Sequence, residues 1–482
     1  VRRLGFPALA WLAFLPCALA QQSLPDLGEG SGAALPPQIE RRIGETIMRD
    51  IRAREPAYLD DAEVADYLNV LGGRLLAALP GARQDFEFFA MRDSAVNAFA
   101  LPGGFIGVHT GLLIASDSES EVASVLAHEI AHVTQRHIAR LIGAQQQMQL
   151  PAMVAIAAAL LLGRSRPDLA QAAAAAVQGV AVQAQLGYTR DFEREADRIG
   201  FQILSSAGFD VRAMPSFFEK MQRYTRIADD GSVPGYLRTH PVTTERIADA
   251  LGRAESLPYR QHLDSLEYHL VRAKLRAEAG DPREAAKDFA AALGDRRFAN
   301  EAAARYGLVA ALLRARETRG AEKEFGRLRA LGSQSPMIEA LAARVREAAG
   351  DAGGALAALK EGVARYPHRR ALVYAYAAAL EAQGRNEQAL AFLEGEIRLA
   401  PRDAKLHELR AKGYAGIGKR LAQHQAQAEA YALRGSLPAA IEQLQLAQSA
   451  GDGDFYQLSA VEARLKELRA EHAREVQESR KR

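Results

Sequence analysis

Apolar residues recur at helical spacing from Ile39 onward, and the texture changes at residue 86. Residues 86–91, 96–101 and 105–108 are short runs of aromatic, branched and small apolar residues, with Pro102-Gly103-Gly104 between the last two. They predict three strands, the second and third joined as a hairpin. A helix is expected next: Ser118 with Glu121 three residues later fits a capping box. Val122, Val125, Leu126, Ile130 and Val133 then form an apolar stripe that predicts one helix running through Leu141. Residues 150–163 are mostly apolar and precede an alanine run at 172–176. The segment is shorter than the ~20 residues that cross a bilayer, so it predicts a buried or partner-packed helix, with membrane-surface contact as the alternative. Residues 188–252 return to helical spacing, interrupted at Gly208 and over 229–235.

Beyond residue 262 the chain becomes Ala- and Leu-rich helical sequence broken at Gly or Pro. Gly350 and Gly384 are 34 residues apart, as are Pro367 and Pro401. That period is the tetratricopeptide helix-pair unit. Ala355 and Ala389 fall five residues after those glycines, where the second helix needs a small side chain. The same register gives Ala273, Ala285 and Phe289 around Gly280, and Ala428, Ala440 and Leu444 around Gly435. Residues 301–336 fit it poorly. The expected fold class is therefore mostly α, with an α+β domain carrying a short sheet over residues 38–258 and an all-α repeat array over 262–475. Stacked helix pairs of this kind present a concave, protein-binding surface.

The N-terminus has its own character. Arg2 and Arg3 precede an apolar stretch that ends in Ala18-Leu19-Ala20, the pattern of a secretory signal cleaved after Ala20. Pro7 and Pro16 interrupt the stretch and argue against the alternative, a membrane anchor. Cys17 suggests lipidation, yet Pro16 stands where a small residue is expected. Residues 1–20 are read as the signal and 21–37, rich in Gly, Pro and Ser, as a linker. Taking Arg2 and Arg3 from 61 basic residues leaves 59 against 59 acidic ones, so nothing in the charge balance asks for nucleic acid. Cys17 is the single cysteine and leaves with the signal, so stability must come from packing.

Chemistry enters at His128-Glu129-Ile130-Ala131-His132, an H-E-x-x-H sequence inside the capped helix. Residues four apart lie one turn apart on one face, so two imidazoles can bind one Zn²⁺ while the carboxylate between them faces the reacting water. Glu129 is thus the expected general base. A catalytic zinc needs a third protein ligand and an open position. Gln135 and Ile138 stand where a metzincin would place Gly and His, which excludes that class. A second helix offers Glu193 and Asp197 on one face, with Ala196 and Gly200 small enough for close approach, while Glu195 projects to nearly the opposite side. Glu193 is expected to be the ligand and Asp197 the partner of a ligand histidine. His137 is expected at the surface, pointing away from the metal. His240, in Arg238-Thr239-His240-Pro241 after a glycine-containing loop, is expected at the active site, either as donor to a developing oxyanion or as a fourth zinc ligand.

The segments Asn97-Ala98-Phe99-Ala100-Leu101-Pro102-Gly103-Gly104, His128 to His132, and Glu193-Arg194-Glu195-Ala196-Asp197 resemble those of the HtpX and CAAX-prenyl-endopeptidase superfamily. With a signal and tetratricopeptide repeats, the mature chain is similar throughout to the superfamily's periplasmic branch. The resemblance implies a gluzincin-like, zincin-type peptidase fold, one zinc per chain and Glu193 as third ligand. It also implies an ATP-independent periplasmic endopeptidase that degrades unfolded or stalled outer-membrane β-barrel proteins, assists correct ones, and meets the β-barrel assembly machinery through its repeats. The chain offers no convincing transmembrane helix, so prenyl-protein processing is not implied. The hairpin over residues 99–108 offers a strand edge that can hold an extended substrate by backbone pairing, the alternative being a purely structural hairpin. The rival function is a repeat-based chaperone or scaffold whose peptidase site is closed or vestigial.

Overall fold

The computed structural model describes residues 35–79, 85–144, 190–227 and 235–480. The expected signal, nearly all of the 21–37 linker, the apolar segment at 150–163 with its alanine run, and most of the 229–235 loop lie outside the described residues.

Helix α1 (Pro37–Arg54) begins with proline in its first turn, where no backbone donor is needed. A two-residue strand β1 (Tyr58–Leu59), not foreseen in the sequence, leads to α2 (Ala62–Ala77). Asp61 caps α2 by accepting from the N–H groups of Glu63 and Val64 at 3.0 and 3.1 Å. Three further strands follow, β2 (Glu87–Met91), β3 (Ala98–Leu101) and β4 (Phe105–His109). They form a sheet in the order β1-β2-β4-β3, with β2 parallel to β4 and β3 antiparallel to it as the expected hairpin. Gly103 and Gly104 take φ of +79° and +94°, which explains the two glycines at this turn. Strand β3 is thereby left at the sheet edge.

After α3 (Thr110–Ala115) comes α4 (Glu119–Thr134), which carries His128, Glu129 and His132. Ser118 Oγ accepts from the N–H of Glu121, while the Glu121 carboxylate accepts from Asp117 N–H at 2.8 Å and from Lys220 Nζ at 2.5 Å. The predicted uninterrupted helix through Leu141 is corrected here. Arg136 adopts φ +54°, and a separate α5 (His137–Ala144) begins immediately after it. Helix α6 (Arg190–Ser206) lies against α4, and Gly208, with φ +79°, turns the chain just after it. Helices α7 (Ala213–Ile227), α8 (Gly235–Thr239) and α9 (Thr244–Glu255) complete this half.

Twelve helices follow among the described residues, from α10 (Leu266–Glu278) and α11 (Pro282–Gly294) to α20 (Leu437–Gln448) and α21 (Phe455–Arg480). Between them stand α12 (Glu301–Arg314), α13 (Thr318–Ala330), α14 (Pro336–Ala348), α15 (Ala352–Arg365), α16 (Arg370–Ala382), α17 (Asn386–Leu399), α18 (Ala404–Gly416) and α19 (Arg420–Leu433). Gly280, Gly350, Gly384, Gly418 and Gly451 have positive φ at the turn inside each pair. The segment at 301–336 is also a helix pair, with Arg316 at φ +61° in the place of the glycine and Ala321 buried five residues on. Gly435 turns between α19 and α20, half a repeat out of step with Gly418. Ala428, Ala440 and Leu444 are nevertheless buried.

The chain is thus mostly α, an α+β domain with a small sheet followed by a helical repeat array. One hydrophobic core joins the two. It runs from Leu68 and Leu71 of α2, through Val125 and Ile130 of α4 and Phe217 of α7, to Tyr268, Leu270 and Val271 of α10 and Val345 of α14. No helix of the described residues is long and apolar enough to cross a membrane.

Candidate active site

Helix α4 is buried on all sides over its second half, which is unusual for a helix carrying this many polar groups. Small residues permit it. Ala127, Ala131 and Ala196 are wholly buried, and a Cβ on Gly200 would come within 3.0 Å of His128 N. Helix α6 therefore approaches α4 closely enough to bring Glu193 to the two histidines. His240, directly after α8, closes the group from the opposite side; its N–H donates to Tyr236 O, and Tyr236 N–H donates to Val96 O beside β3. The Tyr236 ring stacks on His240 with centroids 5.0 Å apart.

The ligand atoms of His128, His132, Glu193 and His240 all lie within 4.8 Å of one another. His128 Nε2 is 2.9 Å from His132 Nε2 and 3.3 Å from His240 Nδ1. Glu193 Oε1 is 3.1 Å from His240 Nδ1 and 3.5 Å from His132 Nε2. A tetrahedral ion with ligands at about 2.0–2.1 Å has edges of roughly 3.3 Å, so these spacings fit a four-coordinate zinc. Glu129 lies beside the cluster, fully buried, with both carboxylate oxygens lacking a hydrogen-bond partner. Its neighbour is His240 Nε2, 3.4 Å from Oε1. A buried carboxylate left without a donor is costly, and this one stands next to a three-histidine, one-carboxylate donor set.

The next layer fixes these groups. Asp197 Oδ1 sits 2.9 Å from His128 Nδ1. Arg246 of α9 grips Asp197 through Nε and Nη2 at 2.6 and 2.8 Å and reaches Glu193 Oε2 through Nη1 at 2.8 Å. Burial alone would lower the His128 pKa, but hydrogen bonds to Asp197 and Glu193 outweigh it and raise the value to about 9. His132 is driven well down, chiefly by burial. For Glu193 burial acts upward, yet His240, His128 and His132 hold it well below the ordinary carboxylate range. Metal binding would displace the proton held at His128.

His137 requires a correction. It is buried, not at the surface, and its Nδ1 is 2.7 Å from His132 Nδ1. A helical projection from His132 fails because the left-handed Arg136 ends α4 and re-aims the chain. Glu195, on the far side of α6 from Glu193, accepts from His137 Nε2 at 3.2 Å and from Arg140 Nη1 at 2.7 Å. Burial lowers the His137 pKa to about 4. Arg246 and Tyr236 were also not singled out in the sequence. An arginine in a helix and a tyrosine near a loop carry no periodic signal that marks them as buried at a site.

Residues 64–254 match peptidase family M48, and residues 347–413 match a tetratricopeptide repeat. The chain is 41% identical over 284 residues to a putative beta-barrel assembly-enhancing protease of Vibrio cholerae, a match spanning 57% of each chain. It is 31% identical to the beta-barrel assembly-enhancing protease of Yersinia pestis over 452 residues, 93% of this chain and 92% of that one. The Escherichia coli K12 protein of the same description is 31% identical over 449 residues, 93% and 91% of the two chains.

Proposed function

Because the chain belongs to peptidase family M48, in the repeat-bearing form of the beta-barrel assembly-enhancing proteases, we propose that this metalloendopeptidase is an ATP-independent zinc enzyme of the periplasm. Its substrates are unfolded or stalled outer-membrane β-barrel proteins, and it assists the assembly of others. Its signal is cleaved after Ala20. The repeats bind the β-barrel assembly machinery, contact with the membrane is peripheral, and nucleic acid is not a partner. The observation that carries the reading is the convergence of His128, His132, Glu193 and His240 beside the hydrogen-bond-free carboxylate of Glu129.

His128, His132 and Glu193 would hold the zinc, which when bound supplies the Lewis acidity that makes water nucleophilic near neutral pH. Glu129 takes the proton of the attacking water and returns it to the departing amine nitrogen. Asp197 keeps the His128 proton on Nδ1 and its Nε2 lone pair toward the ligand cluster, and Arg246 neutralises the charge of Asp197 and Glu193 in a buried site. Strand β3, at the sheet edge and packed against α4, offers unpaired backbone groups for an extended substrate.

A second reading, a repeat-based chaperone with a closed peptidase site, is favoured by one observation: His240 Nδ1 stands among the ligand atoms. A fourth protein ligand leaves no open position. The two readings separate when the zinc-loaded full mature chain is mixed with an unfolded outer-membrane β-barrel protein and with the same protein folded in detergent. The peptidase reading expects cleavage of the unfolded form alone. Protection of the unfolded form from aggregation without cleavage supports the chaperone, and equal cleavage of both forms contradicts selectivity for stalled substrates.

A further inference from the structure

His128 and His132 are four residues apart on one helix, yet their outer nitrogens meet different partners. His128 Nδ1 faces the carboxylate of Asp197 directly, at 2.9 Å. His132 Nδ1 faces a second imidazole, His137, at 2.7 Å, and that ring in turn faces Glu195 at 3.2 Å. We propose that His137, held by Glu195, is the positioning residue that sets the tautomer and ring orientation of His132 for metal binding. The inference rests on the metal-site reading above.

The proton positions follow from the geometry. Two ring nitrogens 2.7 Å apart share one hydrogen, so one donates and the other accepts. His132 Nε2 lies in the ligand cluster, 2.9 Å from His128 Nε2 and 3.5 Å from Glu193 Oε1. That atom must keep its lone pair for the metal, which places the His132 proton on Nδ1 as the donor. His137 Nδ1 therefore accepts, and its own proton sits on Nε2, where it donates to Glu195 Oε2. Arg140 Nη1 donates to the same oxygen at 2.7 Å and keeps that carboxylate charged.

The ring of His137 has no room to choose otherwise. It is fully buried and stacks on Phe192 at 4.6 Å and 14° between planes, while Arg140 lies over the other ring, 4.6 Å from its centroid. The left-handed Arg136 makes the arrangement possible by turning the chain at the end of α4, so that the first residue of α5 comes back beneath His132. A carboxylate that reaches a ligand histidine through an intervening imidazole does the same work as a direct carboxylate partner, raising ligand basicity and fixing the ring.

The test uses the full mature chain and reads metal retention. The rate of metal transfer to a chelator and the visible spectrum of the Co²⁺-substituted protein are measured for wild type, His137→Ala, His137→Asn and Glu195→Ala. Far-UV circular dichroism and the unfolding midpoint of each metal-free protein report the fold. His137→Ala and Glu195→Ala should lose metal about 10–100-fold faster with a shifted Co²⁺ spectrum, and with the metal-free fold unchanged. His137→Asn places an amide oxygen near the former Nδ1 and should stay within about threefold of wild type, since it keeps the acceptor. Wild-type retention in His137→Ala, or equal loss in His137→Ala and His137→Asn, overturns the relay. If His137→Ala fails to fold, the partly exposed Glu195→Ala decides alone, and an unchanged rate there overturns it. Wild type that binds no metal sinks the metal-site reading and the relay with it, whereas metal held equally by wild type and His137→Ala sinks the relay only.

Discussion

The two ring nitrogens of His240 face different groups: Nδ1 lies among the ligand atoms, and Nε2 lies 3.4 Å from Glu129 Oε1. If the proposed zinc is held there, an imidazole in that place completes a closed site, and cleavage then requires it to leave. His240→Ala should therefore raise basal cleavage of an unstructured protein by about tenfold, the effect of a gate worth ~1.4 kcal/mol, with the metal content unchanged. Loss of cleavage with metal retained would instead identify His240 as a donor to the transition state. Much of this site was legible residue by residue. The i, i+4 spacing that unites His128 with His132 is the spacing that places Glu193 and Asp197 on one face of α6, and small residues at Ala196 and Gly200 announced the close approach. Arg246 and Tyr236 stayed hidden for want of a periodic signal, and His137 because of a single backbone angle. With Arg136 at φ +54° the helical wheel stops applying, and His137 turns inward where a continuous helix would have carried it away.

At the scale of elements, the docking of α16 on α2 shows how one helix completes another. Helix α16 follows Arg369, which provides no side-chain cap. Asp66 of α2 supplies the missing acceptor, taking hydrogen bonds from the backbone N–H groups of Arg370 and Ala371. Burial nevertheless raises the Asp66 pKa from 3.8 to about 6. The folded chain thus holds this proton more tightly than the unfolded chain. Below about pH 4 both hold it and there is no penalty; between about pH 4 and 6 the penalty develops, and above about pH 6 it is complete. Asp66→Asn, which keeps an acceptor without the charge, should stabilise the metal-free protein by about 1–2 kcal/mol at pH 8 and hardly at all at pH 4. Asp66→Ala loses the cap and should cost about 1 kcal/mol at pH 4. Urea unfolding in chelator at the two pH values checks both, and an equal effect of Asp66→Asn at pH 4 and pH 8 would contradict the argument. The repeats were readable at Gly280, Gly350 and Gly384, whereas anchoring the last ones on Gly435 put them half a repeat out of step with the turn at Gly418. Residues 301–336 escaped because Arg316 adopts the left-handed angle that glycine takes at the other turns, so the period is kept by the backbone and lost from the letters.

Across the whole molecule, the boundary near residue 262 divides two sequence textures but not two cores. Lys274 of α10 is buried with Nζ 2.5 Å from both Asp61 and Glu63 at the start of α2, and Tyr268 donates its hydroxyl to Ser116 O at 3.0 Å. Burial of one large apolar side chain contributes about 1.5–3 kcal/mol, so losing α10 would remove several such contributions from a fold whose net stability is only about 5–15 kcal/mol. A chain ending at residue 261 should therefore be recovered aggregated, while one ending at residue 349, which keeps the shared core through α14, should remain soluble and bind metal. Soluble, metal-loaded protein from the shorter chain would contradict this. Periodicity could not have revealed the shared core, because it reports which face of a helix is buried and not which neighbour buries it. The central claim concerns the chemistry of Glu129, and the most direct measurement is cleavage of an unfolded β-barrel protein by Glu129→Gln with its metal content determined on the same sample. The predicted result is metal equal to wild type with cleavage reduced at least about a hundredfold, as expected when the base is removed and the ligands are kept. Cleavage near the wild-type rate at full metal occupancy would contradict it.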